Sequence, residues 1–146
     1  MTPPETAEAL IRRYYAACNA ADPEALASCF TEDAVHYFPP GFPGEVRRGR
    51  DALVANWTRF ARRLNGRWTV DRLLAAPDGR EAVIEWTNFT DGRLTRGDEW
   101  YLFDDGIERI REIRAYFAAP LDPHRAVHEL AGFDYAARGY PTERPD

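Results

Sequence analysis

Apolar residues recur along the chain at two different spacings, and the change divides it into a helical first half and a strand-rich second half. In the first half they follow the 3.6-residue period of an α-helix. The first helix is predicted to begin after Thr2, with Pro3 and Pro4 in its first turn. The residues on its predicted buried face are Ala7, Leu10, Ile11, Tyr14, Ala17 and Cys18.

Two further helices are predicted in the first half. Asp22 is placed as the N-cap of the second helix, with Pro23 at the first helical position. The third helix is predicted over 51–64, with an apolar stripe facing the core. Between them, 34–38 alternates as a short strand, and the proline- and glycine-rich run 39–44 is a loop.

The second half contains four strand-like runs, at 68–75, 81–90, 94–103 and 107–118. Each gap between them contains an Asp followed by a Gly, which favours a hairpin because type I′ turns need positive φ at both central residues. The runs therefore predict a four-stranded antiparallel meander. Helices followed by a meander predict an α+β fold, with the helices packed on one face of a highly curved sheet.

The end of the chain differs from both halves. A short helix is predicted over 122–132, and three aromatic residues follow, Phe133, Tyr135 and Tyr140. Because exposed aromatic clusters are costly in water, this segment is expected to dock. We therefore divide the chain into a domain at 1–119 and a C-terminal extension at 120–146 that docks on the domain or on its dimer partner.

Composition removes whole classes of mechanism. All 19 basic residues are Arg, so no lysine is available for a Schiff base or a P-loop. The only serine, Ser28, lacks the Gly-x-Ser-x-Gly context of a hydrolase nucleophile. Catalysis must therefore draw on His, Asp, Glu, Tyr, Arg or Cys. Cys18 and Cys29 fall on predicted buried helix faces and are expected to be free thiols.

Charge and hydropathy limit the classes of partner that the protein is expected to bind. The net charge of −5 argues against a nucleic-acid partner, which would require a basic face. The arginines at 47, 48 and 50 are interpreted as part of a solvated loop. No apolar run approaches the ~20 residues of a membrane span, and the N-terminus shows no signal-peptide pattern. These patterns predict a cytoplasmic protein with neither a nucleic-acid nor a membrane partner.

Several local strings resemble one known family. Over about 7–117 the chain resembles the nuclear transport factor 2-like superfamily, in its SnoaL-like and ketosteroid-isomerase-like branch. The resemblance implies a cone of curved antiparallel sheet closed by three helices, a small-molecule pocket opening inward, and a homodimer. This fold hosts isomerases, dehydratases, cyclases, epoxide hydrolases and non-catalytic binders. The strings are Arg13-Tyr14-Tyr15, Asn19-Ala20-Ala21-Asp22, Phe30-Thr31-Glu32-Asp33-Ala34-Val35, Arg48-Gly49-Arg50-Asp51 and Ile113-Arg114-Ala115-Tyr116-Phe117.

Residue by residue, the resemblance implies part of a catalytic site. Tyr14 matches the tyrosine that donates a hydrogen bond to the substrate oxyanion in the steroid isomerases, and Glu99 matches the protonated aspartate beside it. The catalytic base of that family corresponds to Phe38, and the acid of the limonene epoxide hydrolases corresponds to Ala115. This chain therefore lacks one catalytic residue of the steroid isomerases and one of the limonene epoxide hydrolases, so the resemblance does not imply the complete mechanism of either.

Strand alternation adds His36, because it lies two residues before Phe38 and shares its face. For the later strands, the resemblance to the isomerases implies that Glu99 points inward, whereas Asp98 and Thr87 point outward. A register shift of one residue would exchange Glu99 with Asp98. The predicted site consists of Tyr14, His36 and Glu99 as catalytic residues and of Phe38, Trp57, Trp86, Asn88, Tyr101 and Phe117 as substrate-binding residues.

These residues predict a cofactor-independent acid/base enzyme. His36 and Glu99 would exchange protons with a small, mostly apolar, oxygen-containing molecule, and Tyr14 would polarise its oxygen. The reaction would be of isomerase, cyclase, dehydratase or hydrolase type. The alternative is a non-catalytic small-molecule-binding or dimerisation module, in which His36 bonds to backbone and Glu99 pairs with Arg96 or Arg114.

No metal site is predicted. His124 and His128 are four residues apart, which is metal-ligand spacing on a helix. No third ligand is evident beside them, so they are interpreted as a coincidental surface pair.

Overall fold

The computed structural model describes residues 1–39, 46–118, 127–128 and 134–145. Helices and strands follow one another there in the predicted order, helices first and the meander second. The helices are α1 (Pro3–Ala20), α2 (Pro23–Ser28) and α3 (Arg50–Arg63). The strands are β1 (Phe30–Tyr37), β2 (Val46–Arg48), β3 (Arg67–Ala75), β4 (Glu81–Thr90), β5 (Arg93–Phe103), β6 (Ile110–Phe117) and β7 (Val127–His128).

Side-chain hydrogen bonds hold both ends of α1. At its start, Glu5 N–H donates to Thr2 Oγ1 at 3.4 Å and Thr2 N–H donates to the Glu5 carboxylate at 2.7 Å, which is a capping box. At its end, Asn19 Nδ2 donates to Trp68 O at 2.9 Å, and Asn19 Oδ1 accepts from Trp68 N–H at 2.7 Å. The predicted helix start is confirmed, and the Asn19 clamp holds α1 against β3.

The seven described strands form one curled, unclosed sheet. Six of them follow the order β2-β1-β6-β5-β4-β3, and β7 pairs with β5 off this path. The consecutive strands β3, β4, β5 and β6 pair antiparallel with one another, which confirms the predicted meander. The first strand, β1, joins β6 in parallel. The inner face of the sheet packs against α1 and α3 and forms the core with them. Among the described residues, no helix is long and apolar enough to cross a membrane.

The turns of the meander agree with the Asp-Gly signals in part. Asp91 and Gly92 both have positive φ, at 27° and 78°, as the type I′ prediction requires. In the last turn the positive φ of 55° falls on Ile107. The Asp104 carboxylate there accepts the backbone N–H of Glu108 at 2.8 Å, which holds a longer loop. Strand β6 therefore starts at 110, three residues later than predicted.

Two predictions about the early strands are wrong. The first strand begins at Phe30 and not at 34, because Phe30 already pairs with Ile110 of β6. The run Val46–Arg48, interpreted as a solvated loop, is a short edge strand that pairs antiparallel with β1. Its arginines obscured the strand pattern, since an edge strand can expose both faces to solvent.

The predicted helix at 122–132 is wrong at the two residues of it that the structure describes. Val127 and His128 form a strand that pairs in parallel with Leu94 and Thr95 of β5. Strand β6 ends at Phe117, opposite Gly97, so the backbone groups of β5 before that point are open to another strand. The rest of the predicted helix lies outside the described residues.

Residues 134–145 lie on the outer face of the sheet, opposite the core. Tyr135 and Tyr140 are buried there, and the Tyr140 hydroxyl donates to the Glu85 carboxylate. The Arg96 guanidinium lies 4.1 Å from the centre of the Tyr135 ring and donates to Pro141 O at 2.8 Å. Through these contacts, residues 134–145 dock on the chain's own sheet. The division into a domain at 1–119 and an extension at 120–146 stays a prediction.

A chain of hydrogen bonds lies beneath this segment. Arg96 Nη1 donates to Thr87 Oγ1 at 2.9 Å, and the Thr87 hydroxyl donates to Asp71 Oδ2 at 2.6 Å. Thr87 was predicted to point outward and does so, yet it is fully buried. We call Asp71, Glu85, Thr87, Arg96 and Tyr140 the outer polar cluster.

Candidate active site

The pairing register places the predicted inward residues together on the inner face. Residues directly opposite each other in neighbouring strands share a face. Glu99 pairs with Ile84 on one side and Ala115 on the other, so it faces the core as predicted. Asp98 lies on the outer face and is exposed. The adjacent row contains Ala82, Tyr101, Ile113 and His36.

Two tyrosine hydroxyls hold one oxygen of the buried Glu99 carboxylate. Tyr15 Oη donates to Glu99 Oε2 at 2.8 Å, and Tyr101 Oη donates to the same oxygen. Burial, followed by the nearby charge of Glu99, raises the pKa of both tyrosines well above 10. Both phenols therefore stay protonated and remain donors at neutral pH, so the carboxylate is fixed in orientation.

His36 lies beside the other oxygen of this carboxylate. Its Nε2 is 3.6 Å from Glu99 Oε1, which is too long for a hydrogen bond but within ion-pair distance. The imidazole has no exposed surface, and neither ring nitrogen has a hydrogen-bond partner among the described residues. It stacks on Phe38, with ring centres 4.1 Å apart and planes at 12°. No hydrogen bond from the described residues therefore determines which ring nitrogen of His36 carries the proton.

Tyr14 and Tyr15 have different roles in the geometry. Tyr14, the predicted oxyanion donor, is buried and packs edge-on against Phe30 at 5.3 Å. Burial, followed by the Cys18 thiol and the Glu99 carboxylate, raises the pKa of Tyr14. Its catalytic role stays a prediction, whereas Tyr15, which sequence reasoning missed, contacts Glu99 directly.

A signal for Tyr15 is present in the sequence. Ala7, Ile11 and Tyr15 are spaced four residues apart, so they lie along one side of α1. All three are buried. The predicted buried face includes Ala7 and Ile11 of this row but omits Tyr15.

The alternative in which an arginine pairs with Glu99 is wrong. Arg96 lies in the outer polar cluster. Arg114 also lies on the outer face, with its Nε 3.4 Å from Glu112 and its guanidinium 5.6 Å from the centre of the Trp100 ring. The inward and outward alternation of the strands separates both guanidinium groups from Glu99.

Aromatic rings surround the polar cluster of the inner face. Trp57 of α3 lies 5.3 Å from His36 and 6.0 Å from Phe38 between ring centres. Trp86 stands perpendicular to Phe117 at 5.5 Å. The remaining predicted wall residue, Asn88, is buried and donates to Arg67 O over 3.5 Å. The predicted substrate-binding residues thus lie on the inner face with Glu99, although their contact with a substrate stays a prediction.

Thiol and metal chemistry have little support in the described part of the chain. Cys18 and Cys29 are free and buried, as predicted. Burial raises the pKa of the Cys18 thiol well above 9, which disfavours the reactive thiolate. No group of three potential metal ligands occurs among the described residues. His124 lies outside them, as does the side chain of His128, so the interpretation of that pair stays a prediction.

The curled sheet with N-terminal helices on its inner face is the fold of the nuclear transport factor 2-like superfamily. A family model described as a SnoaL-like domain matches residues 11–113. The chain belongs to this SnoaL-like family. A solved structure from Methylobium petroleophilum PM1, a protein of unknown function with a cystatin-like fold, is 40% identical; the match covers 98% of this chain and 95% of that one, with a TM-score of 0.77.

Two more distant structures share the fold alone. A candidate ketosteroid isomerase from Kribbella flavida is 24% identical over 86% of this chain and 87% of its own, with a TM-score of 0.65. A candidate polyketide cyclase from Xanthomonas campestris is 19% identical over 79% and 92%, with a TM-score of 0.66. No curated protein matches the chain. The homodimer and the cytoplasmic location stay predictions.

Proposed function

We propose that this protein is a cofactor-independent acid/base enzyme acting on a small, mostly apolar, oxygen-containing molecule. One observation carries the proposal: the buried His36 imidazole has no hydrogen-bond partner among the described residues and lies 3.6 Å from a buried carboxylate. Buried polar groups are nearly always paired in native proteins, and the exceptions need an explanation. A group that is left unpaired for substrate provides one.

The two carboxylate oxygens of Glu99 have different roles in the proposed reaction. Tyr15 and Tyr101 occupy Oε2 of Glu99, so its position is fixed before substrate binds. Oε1 lies 3.6 Å from His36 Nε2. A substrate group in contact with both residues would give a proton to one of them and recover one from the other, which is general acid/base catalysis at neighbouring atoms.

This arrangement differs from the one that the steroid isomerase resemblance implies. The position of that family's base is Phe38, whose ring stacks on His36 and has no titratable group. In this chain the proton-accepting role therefore passes to His36, two residues earlier on the same face. The names of the two distant neighbours, a ketosteroid isomerase and a polyketide cyclase, support a reaction of isomerase or cyclase type.

Proton exchange into a simple ketone tests the proposal without knowledge of the natural substrate. We would follow deuterium incorporation next to the carbonyl of 2-tetralone in D₂O by NMR, at ketone concentrations that saturate the protein. His36→Gln and Glu99→Gln should each slow the catalysed exchange by about 10²- to 10⁴-fold, the usual range for a general acid or base. Circular dichroism would check that each variant is folded.

Asp98→Asn is the matched control for Glu99→Gln. It removes the neighbouring carboxylate on the same strand, which is exposed on the outer face, and should leave the exchange rate unchanged. Equal rates in the wild-type protein and in both inner-face variants would contradict the proposal. Tight binding of 2-tetralone with exchange no faster than in buffer would instead support the non-catalytic binding module.

A further inference from the structure

The four tryptophans of the chain differ in how their indole N–H groups are used. Trp100, on the outer face, donates from Nε1 to Glu81 Oε2 at 2.9 Å. Trp57 and Trp86 are 7% and 5% exposed, and neither Nε1 has a hydrogen-bond partner in the part of the chain that the structure describes. An indole nitrogen can only donate, so each of these groups lacks an acceptor among the described residues.

Two buried donors without acceptors on one side of one sheet need an explanation. Burying an N–H group removes it from water, and the lost hydrogen bond is regained only if the protein or a ligand supplies an acceptor. The outer polar cluster of this same chain shows the usual outcome, since Arg96 and Thr87 are both paired there. Acceptor atoms of a ligand would satisfy the two indole N–H donors.

Trp86 lies next to Glu99 on the inner face. It pairs with Gly97 of β5, two residues before Glu99, so it is a diagonal neighbour of that carboxylate. Its ring covers Gly97, where a Cβ would lie 2.7 Å from Trp86 Cζ2 and would also meet Tyr116 O. The glycine therefore allows the indole to lie against β5, and Phe117 fixes it from the side.

Trp57 reaches the opposite end of the same cluster. It comes from α3, and its ring lies 5.3 Å from His36. Across the sheet, His36 is on β1, Glu99 on β5 and Trp86 on β4, with β6 between the first two. One unpaired indole thus adjoins His36 and the other adjoins Glu99.

We propose that the indole N–H groups of Trp57 and Trp86 each donate a hydrogen bond to a separate oxygen atom of the ligand. The ligand class is then a molecule with at least two acceptor oxygens on an apolar frame, such as a dicarbonyl compound, a hydroxyketone or a keto-ether. The inference rests on the proposed function for the position of the ligand beside His36 and Glu99. It adds which atoms of the ligand are recognised and by which residues.

A series of three ligands of one shape tests this recognition. Tetralin, 1-tetralone and 4-chromanone have the same fused-ring frame and carry zero, one and two acceptor oxygens. Their affinities would be measured by ligand-detected NMR with the wild-type protein and with Trp57→Phe, Trp86→Phe and Trp100→Phe. A phenylalanine keeps an apolar ring and removes only the N–H group, and Trp100 is the control because its N–H is already paired.

We expect wild-type affinity to rise by about fivefold for each acceptor oxygen, the usual gain from one added hydrogen bond. Trp57→Phe and Trp86→Phe should each remove one of these steps, and Trp100→Phe should retain both. The indole ¹⁵N–¹H signals of the wild-type protein give a second measurement that needs no variant. Those of Trp57 and Trp86 should shift on binding 4-chromanone but not on binding tetralin.

Several results would overturn the inference. The same ratio of 4-chromanone to tetralin affinity in wild type and in both inner-face variants would show that the indoles donate to the perpendicular rings of Trp68 and Phe117 instead. An absence of any oxygen preference in the wild-type protein would overturn it as well. The readout is separate from proton exchange: a tryptophan-dependent preference without catalysed exchange would support this inference while the proposed function failed.

Discussion

The sheet carries one buried polar cluster on each face, and the two clusters differ in how completely their hydrogen bonds are formed. In the outer polar cluster, Arg96 donates to Thr87 and to Pro141 O, and Thr87 donates onward to Asp71. On the inner face, His36 has no hydrogen-bond partner among the described residues. It lies beside a Glu99 carboxylate that accepts hydrogen bonds from those residues at Oε2 alone.

The contrast separates groups that hold the fold from groups that serve a ligand. A fully paired buried network stabilises one arrangement, because each member would be left unpaired if another moved. A network with unpaired members costs stability, and proteins keep such groups where activity needs them. Substitutions in the outer polar cluster should therefore lower stability, whereas those of unpaired inner residues should affect function more than stability.

Arg96→Met should give the largest loss of stability. The methionine fills part of the space but removes two hydrogen bonds and the guanidinium that lies over Tyr135. Hydrogen bonds to charged groups contribute about 1.5–3 kcal/mol each, so we expect the free energy of unfolding to fall by roughly 3 kcal/mol. Urea denaturation would measure it.

Arg111→Met is the control, because Arg111 is an exposed arginine on the adjacent strand β6. Its unfolding midpoint should stay close to that of the wild-type protein. If Arg96→Met unfolded at the same urea concentration as Arg111→Met, the outer polar cluster would not be the stabilising one and the comparison would fail.

His36→Leu should have a smaller effect of opposite sign. His36 has no hydrogen-bond partner in the part of the chain that the structure describes. Replacing such a buried polar group with an apolar one of similar size removes a desolvation cost. We expect the protein to become about 1 kcal/mol more stable and to lose proton exchange. A loss of stability of more than ~1.5 kcal/mol in urea denaturation would show that His36 is hydrogen-bonded in solution.

The inward position of Glu99 could be predicted only with the family resemblance, because the period of two alone leaves open whether Glu99 or its neighbour Asp98 faces the core. The same resemblance placed Thr87 on the outer face correctly but could not show its burial. Thr87 is covered by residues that lie about fifty positions later, around Tyr135 and Tyr140. Long-range docking of this kind leaves no local period in the sequence.

The chemistry of the inner face was also only partly predictable. Helical periodicity indicates that Tyr14 and Tyr15 are near neighbours on α1, but which hydroxyl reaches Glu99 depends on how the helix is rotated over the sheet. The gap of 3.6 Å between His36 and Glu99 is likewise set by packing, here by the stacked ring of Phe38. Residue identity and spacing define the participants, and only the packed structure defines their contacts.

Tyr140→Phe should give the smallest effect and the one that depends most on pH. Burial, followed by the hydrogen bond to Glu85 and its charge, raises the pKa of Tyr140 to about 12. The folded state therefore holds this proton more tightly than the unfolded chain, whose tyrosines titrate near pH 10. The stabilisation is complete below pH ~10 and is lost as the pH rises through about 12.

The variant should accordingly lose up to ~1 kcal/mol at neutral pH, and the difference from wild type should shrink as the pH is raised above 10. Urea denaturation of both proteins across this range isolates the contribution of Tyr140, because the other buried tyrosines titrate in both. Tyr116→Phe, which alters an exposed tyrosine on the same face, should show no such convergence. A difference that stayed constant with pH would mean that the phenol does not donate to Glu85. Tyr140 would then not belong to the hydrogen-bonded outer polar cluster.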